Sequence, residues 1–536
     1  MHVVPQLCTQ DSVTLWIQAE RWETGWGLSV VGPTLVEPRT WSPEPDTACL
    51  LPNVTPGPRR RIWRWTIDGL VAGAEFEVRY TGDIGTGDPL AASFRTIPDS
   101  LERPFTVLLG SCYSEDSDLS AELLSRAVRA SARQPVLRPV HAVVQAVRHV
   151  AVGIRGLVRR GPAGADPRGH VDQRCQELFA SGHRPDLKLL VGDQVYLDAP
   201  WFKYFGLPLP WTTPTRHISA AYKRTWDKLH WMLSHGITVC ISDDHEFWND
   251  YPYPPPIVTV FTKFLIGPFR RRWNIRARQF LRGFQSPQDT MSISIGGDRP
   301  EVQFFVADTR LHRRSDGPTP RFMQETDFRD LLTWIAELRA PGVLAIGQPV
   351  FAEPVNERFG LVTDHNLPFF AGQYDRLCAA LLAAPHDVLI LSGDVHFGRL
   401  AEVAVARDGP DPSVRLVEVI SSPMALVRQG ASHFDPARLQ RGQRFPTSWS
   451  PRFPPRQTSG LPEAPILRSV DWVTRSDGHW PDHVTTLRFT RGDAPGRIHV
   501  EVLAHSLEPG ADSTTPPLME TSFVLDTHGD RPDRGT

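Results

Sequence analysis

The sequence predicts an α/β protein in two parts: an immunoglobulin- or fibronectin-like β-sandwich over residues 1–98, then a large α/β domain over residues 99–536. Three observations predict it. The first hundred residues alternate apolar and polar side chains with a period of two. Beyond about residue 104, short apolar runs end abruptly in polar, chemistry-bearing residues. Helical periodicity lies between some of those runs. A chain of 536 residues is also too long for one ordinary core.

In the first part Val13, Leu15 and Ile17 alternate, as do Trp63, Trp65 and Ile67, then Phe76, Val78 and Tyr80. This is the pattern of half-buried strands. Pro56-Gly57-Pro58 and Thr81-Gly82-Asp83 supply turns, and Ile97-Pro98-Asp99 marks the boundary. About 100 residues of this kind suit a sandwich. In the second part Val107–Leu109 runs into Gly110-Ser111-Cys112, and Leu189–Val191 into Gly192-Asp193. Val239–Ile241 runs into Ser242-Asp243-Asp244-His245-Glu246, Phe304–Val306 into Ala307-Asp308-Thr309-Arg310, and Leu389–Leu391 into Ser392-Gly393-Asp394-Val395-His396. Buried strands with functional groups at their C-terminal ends are where α/β proteins build sites. Helices are expected over Asp327–Leu338 and Gln373–Ala383, and further strands over His483–Phe489 and Ile498–Leu503. Residues 442–464, rich in Pro, Ser and Arg, read as a long loop.

Composition narrows the class without choosing a partner. A formal net charge of −2 gives no whole-molecule field to read, and no dedicated nucleic-acid partner is expected. The six cysteines are scattered with no CxxC, so neither a zinc finger nor a disulfide framework is signalled; a Cys8–Cys49 bridge is conceivable only from their shared domain. Met1–Gln6 shows no basic n-region leading into an apolar h-region, and no stretch reaches the roughly 18–20 apolar residues of a spanning helix. A cytoplasmic location is the expectation.

Two insertions stand out. Residues 123–165, within a basic stretch near 123–170, carry eight arginines among Val, Ala and Leu and no acidic residue. Residues 257–284 combine Phe261, Phe264, Leu265, Ile266 and Phe269 with Arg270-Arg271-Arg272-Trp273. Such segments either cap the α/β core or lie on anionic membrane.

Each strand end alone has an ordinary explanation. A buried cysteine is usually a small hydrophobe, and Gly-Asp is common at turns. Asp243–Glu246 is stranger, because four ionisable residues directly after an apolar strand are costly unless a metal or partner compensates. Asp394 and His396, two residues apart, project to the same side of an extended segment. The recurrence of such ends, rather than any one of them, points to a metal site around Gly192–Tyr196.

The ordered series Gly-Ser-Cys (110–112), Gly-Asp-x-x-Tyr (192–196), Asp-Asp-His-Glu (243–246), Asp-Thr-Arg (308–310) and Gly-Asp-Val-His (393–396) resembles the alkaline phosphatase D (PhoD-like) family of metallophosphoesterases. The resemblance covers most of the chain, including the opening sandwich. It implies a four-layer α/β/β/α metallophosphatase domain that hydrolyses phosphomonoesters or phosphodiesters with metal-activated water, holding Fe(III) and Ca²⁺. The Gly-Asp-x-x-Tyr element is also similar to that of purple acid phosphatases. Carried over, Asp193 bridges two metals, Tyr196 gives a phenolate to iron, Cys112 binds iron as thiolate, and His396 completes that position. The second metal takes Asp193, Asp244 and Asp394. Carboxylate oxygens suit Ca²⁺, Mn²⁺ or Mg²⁺ better than zinc.

His245 is the candidate to contact phosphate or protonate the leaving oxygen, with a hydrogen bond to a ligand as its plainer role. Arg310 stands either to clamp phosphate or to hold a carboxylate of the site. Three functions fit: a general phosphomonoesterase or phosphodiesterase; a membrane-surface phosphodiesterase of phospholipase D type, for which the basic insertions speak; and a non-catalytic binding protein on the same fold, which would be expected to have lost ligands. Substrate and oligomeric state are not readable.

Overall fold

The computed structural model describes residues 1–19, 26–42, 49–50, 61–82, 89–114, 169–197, 213–248, 251–252, 267–314, 320–352, 366–405, 414–425, 444–445, 464–471, 481–508, 510–512 and 514–528. The turn at Pro56–Pro58, the basic insertion 123–165 and most of the 442–464 loop lie outside them. The fold is mixed α/β, with several sheets and few helices among the described residues.

The expected alternation produces strands Ser12–Ala19, Arg61–Asp68 and Glu75–Thr81. They belong to two four-stranded antiparallel sheets. One runs in the order His2–Cys8, Ser12–Ala19, Arg61–Asp68, Cys49–Leu50. The other runs Arg39–Trp41, Gly27–Val31, Glu75–Thr81, Leu90–Arg95. Alternation directs Val13, Leu15, Ile17 and Trp63 into one cluster with Leu28, Val30, Phe76 and Phe94 of the other sheet. Val4, Trp16 and Ile62 point the opposite way, into a cluster with helical residues Tyr222, Trp226, Phe280 and Phe284. Cys8 is a free, buried thiol, not one half of a bridge to Cys49.

The α/β region holds a six-stranded and an eight-stranded sheet. In the first, Phe105–Gly110, Leu187–Val191 and Ile237–Ile241 run parallel, flanked by the antiparallel His483–Arg491, Arg497–Ser506 and Met519–Asp526. In the second, Val302–Ala307, Gly342–Ile346, Val388–Ser392 and Val414–Ile420 run parallel. Val107, Leu109, Leu189 and Val191 share a core cluster with Val343, Ala345, Leu389 and Leu391 of the other sheet. The residues between them turn outward, Leu108 and Leu190 toward helical residues such as Tyr222, and Leu344 and Ile390 toward Phe328, Leu331 and Leu377. Strands buried on both faces explain the continuous apolar runs.

The helices follow their apolar spacing. Ile218, Ala221, Tyr222 and Trp226 of Thr213–Lys228 meet Phe269, Trp273, Ala277, Phe280 and Phe284 of Gly267–Phe284. The apolar face of that part of the second insertion is therefore buried, each large side chain contributing about 1.5–3 kcal/mol, while Arg271, Arg272 and Ile275 remain exposed. The expected helices begin two residues early, at Glu325–Ala336 and Ala371–Leu382. Acidic Glu325 in the first turn suits the positive end of the helix dipole. No helix among the described residues is long and apolar enough to cross a membrane.

Candidate metal centre

The parallel strands of both sheets deliver their C-terminal residues to one place. Within the six-stranded sheet the Cys112 and Tyr113 amides donate to the carbonyls of Gly192 (3.1 Å) and Asp193 (2.8 Å). Between the sheets, Ser111 Oγ accepts from the Asp394 amide (3.2 Å) and donates to the Ser421 carbonyl (3.1 Å). Two glycines permit the closeness. A Cβ at Gly393 would meet Ser111 Oγ at 2.3 Å, and one at Gly192, where φ is +101°, would meet Asp193's neighbour across the cleft, Asp243 Cβ, at 2.7 Å.

Backbone strain is concentrated here. Among the described residues the non-glycine positions with positive φ are Cys112 (58°), Asp193 (59°), Asp394 (67°) and His396 (58°). All four are ligands named from the sequence. The left-handed region costs an L-residue roughly 1–2 kcal/mol, and residues held there cluster at functional sites because the surroundings enforce them. All four lie within four residues past the end of a parallel strand, Phe105–Gly110, Leu187–Val191 or Val388–Ser392.

Side chains at the strand ends form three groups whose potential ligand atoms lie within 4.8 Å of one another within each group: Cys112, Asp193 and His396; Asp193, Asp244 and His245; and Asp243, Asp244 and Asp394. Cys112 Sγ is 3.6 Å from Asp193 Oδ2, and the Tyr196 hydroxyl donates to the same oxygen at 3.3 Å. The Tyr196 ring stacks on His245, centroids 4.1 Å apart. Asp193 Oδ1 accepts from the His245 amide at 3.1 Å. Tyr196, His245 and His396 are half-buried, whereas Cys112, Asp193, Asp243 and Asp244 are buried, so the two histidines and the tyrosine form the solvent side.

The guanidinium of Arg310 is fully buried. It pairs with Asp243, donates to the Tyr251 carbonyl (3.0 Å), and lies 3.8 Å from Asp244 and 4.0 Å from Asp394. Of the two roles open in the sequence, this is the geometry of a residue that holds carboxylates. Asp308 ties the two sheets, accepting from Ser242 N (2.9 Å) and Oγ (2.6 Å) and from the Arg310 (2.9 Å) and Leu311 (2.7 Å) amides.

Several supporting residues escaped the sequence reading. Gln348 Nε2 donates to Asp394 Oδ2 at 2.8 Å, and Ser422 Oγ accepts from the His396 amide at 3.2 Å. Asp243 joins Asp244 and Asp394, and His245 joins Asp193 and Asp244, where the sequence had assigned only Asp193, Asp244 and Asp394 to the oxygen-rich side. A signal for Gln348 was present: Val343–Ile346 runs into Gly347-Gln348 as at the other strand ends, whereas Glu418 interrupts the run that leads to Ser421-Ser422.

Without a cation the cluster is electrostatically unfavourable. Burial, then Asp193 and Asp394, push the Cys112 thiol well above its ordinary range. Burial raises the Asp193 carboxyl well above its ordinary range, helped by Asp244, Glu246 and Asp243 and opposed by His245. Burial and the anions of Cys112, Asp193 and Asp244 likewise raise the Tyr196 phenol. Thiolate, phenolate and carboxylate are the ligating forms, and a bound cation reverses each penalty. The donor set fits a metal pair: sulfur, oxygen and imidazole on one side, carboxylates on the other.

No family model and no curated protein matches the chain. Among solved structures, the structure of PhoD is similar, at 14% sequence identity and a TM-score of 0.55, over 98% of this chain and 90% of that one. The chain thus has a PhoD-like fold.

Proposed function

We propose that this protein is a metal-dependent phosphoesterase of the PhoD kind, hydrolysing phosphomonoesters or phosphodiesters. One observation carries the reading: Cys112, Asp193, Asp394 and His396, drawn from three motifs of the series, are the described non-glycine residues in left-handed backbone, and each belongs to one of the neighbouring groups of potential ligands. The PhoD-like fold supports it. The sheet pair whose outer faces carry helices supports the four-layer arrangement, and the shared cluster of the first two sheets supports a sandwich over residues 1–98.

Cys112, Asp193, Tyr196 and His396 would hold Fe(III), and Asp193, Asp244 and Asp394 a hard divalent ion, Ca²⁺ before Mn²⁺ or Mg²⁺. Cations there would supply Lewis-acid activation of the phosphoryl group and of water. The chain's own groups do the rest. His245, kept half-exposed on the Tyr196 ring, protonates the leaving oxygen. Arg310 fixes Asp243 by pairing with it, and Gln348 orients Asp394. Metal analysis of the purified chain, with turnover of para-nitrophenyl phosphate and its bis ester before and after chelation, tests the reading. Metal-replete protein that turns over neither ester, or turnover indifferent to chelator, overturns it; bound metal without turnover of either would favour a binding protein on this fold.

A further inference from the structure

We infer that Gln285 is a positioning residue for the metal-ligand loops, and that the N-terminal sheet holds it in place through the end of the Gly267–Phe284 helix. The inference rests on the proposed metal-dependent function. The last carbonyls of a helix have no partner within it. Here three side chains of the N-terminal sheet supply the partners. Arg64 Nη2 donates to the carbonyls of Arg282 (2.7 Å) and Gly283 (3.2 Å), Trp16 Nε1 to Gly283 (2.7 Å), and Gln6 Nε2 to Phe284 (2.7 Å) and Gln285 (3.2 Å). The helix end is thereby fixed from outside the α/β region.

The next side chain, Gln285, is buried and faces the metal loops. Its Nε2 donates to Glu246 Oε1 (3.0 Å) and Gln194 Oε1 (3.3 Å). Glu246 accepts in turn from the amides of Val195 (3.0 Å), Asp193 (3.0 Å) and Asp243 (2.9 Å). A carboxylate has about four lone-pair sites, and these donors fill them. Gln194 Nε2 donates to the Gly192 carbonyl (2.6 Å), which also accepts from the Cys112 amide. One amide nitrogen therefore bears on the backbone of the loops that present Cys112, Asp193 and Asp243, and it touches none of their side chains. Three backbone amides already donate to the two oxygens of Glu246, and the nitrogen end of Gln285 supplies the fourth donor. Outer partners of this kind change metal affinity or activity by about 10–100-fold when removed.

The test uses the full-length protein with its metals, and two substitutions of similar volume that cannot donate, Gln285→Met and the remote Gln6→Met. The readouts are metal retained against a graded chelator, kcat and KM for para-nitrophenyl phosphate, and thermal midpoint. Gln285→Met is expected to weaken metal retention and lower kcat by about 10–100-fold with KM within about threefold of wild type. Gln6→Met is expected to act in the same direction by about three- to tenfold. A Gln285→Met protein that melts earlier but keeps wild-type metal retention and kcat has lost only structure, and overturns the inference. Should Gln285→Met not fold, Gln6→Met decides alone, and unchanged metal retention there overturns it. Wild-type protein that holds no metal brings down the functional reading itself, which separates the two failures.

Discussion

Asp193→Asn isolates what the bridging position costs and what it provides. Asp193 is fully buried, sits at a φ of 59°, and accepts from the His245 amide and the Tyr196 hydroxyl. Asparagine keeps the shape and tolerates left-handed backbone. Because burial raises the Asp193 pKa in the folded chain, folding binds a proton there more tightly than the unfolded chain does. The metal-free carboxylate therefore opposes folding above its unfolded value of 3.8, and the penalty shrinks as pH falls. Removing a buried, poorly compensated charge should stabilise the metal-free protein by about 1–3 kcal/mol at pH 7. With metal the sign reverses: wild type gains about 2.7 kcal/mol when free metal is 100-fold above its dissociation constant, and Asp193→Asn gains little. Urea unfolding of both proteins, with metal and with chelator, reads all four values. If the variant is less stable than wild type in chelator, or gains as much from metal, Asp193 is a structural carboxylate and the bridging assignment falls.

Cys112→Ala should lower both bound iron and turnover, and a variant with full iron and full turnover would refute thiolate ligation. Tyr196→Phe should abolish a visible charge-transfer band; a wild-type protein that is colourless with stoichiometric iron would remove Tyr196 from the iron position. Arg310→Met should destabilise by about 3–5 kcal/mol because it leaves the Asp243 carboxylate buried without its guanidinium, and Asp243→Asn in that background should recover much of the loss; a neutral single variant would contradict the pairing. Burial holds His483 at about 4 and His505 and His230 at about 3, against 6.5 unfolded. Their stability contribution is intact above pH 6.5 and is lost as pH falls toward those values, about 2 kcal/mol each by pH 5; denaturation midpoints flat from pH 7 to 5 would refute it. Arg271, Arg272 and Ile275 are among the exposed residues of Gly267–Phe284, so flotation with anionic vesicles tests the membrane-surface alternative, and absence of binding removes it.

The strands were legible because both of their periods are written in the chain. Phe76 and Val78 show alternation where the other face, Glu75, Glu77 and Arg79, is exposed, and Leu189–Val191 shows the continuous run of a strand covered on both faces. The candidate ligand residues were legible because a buried Asp, His or Cys directly after such a run is costly without a partner. The contacts of the supports were not legible, since they depend on which segments meet. Gln348 is marked only as a strand-end residue and Gln285 is not marked at all, and only the fold sets one against Asp394 and the other against Glu246. Arg310 illustrates the difference: its motif marked it as important, but only the fold sets it against Asp243 and the Tyr251 carbonyl.

The left-handed backbone offers a criterion that composition cannot. A carboxylate cluster can be explained by solvation, and a buried cysteine by packing. Neither explains why Cys112, Asp193, Asp394 and His396 adopt a conformation that glycine would take at less cost. Folding stability alone would favour glycine there: it would relieve roughly 1–2 kcal/mol of strain, and at Asp193 it would also remove a buried charge. Side chains that oppose folding in both respects need a compensating interaction. The three groups of potential ligands could hold a cation, which would supply it. His396 gives the cleanest case, because its half-exposed imidazole could be lost with little change in packing. In chelator, His396→Gly should be as stable as His396→Ala or more so, the reverse of the usual order at a site with negative φ. Both variants should lose metal. An alanine variant clearly more stable than the glycine one would show that the backbone there is not strained, and would remove the strongest structural support for the site.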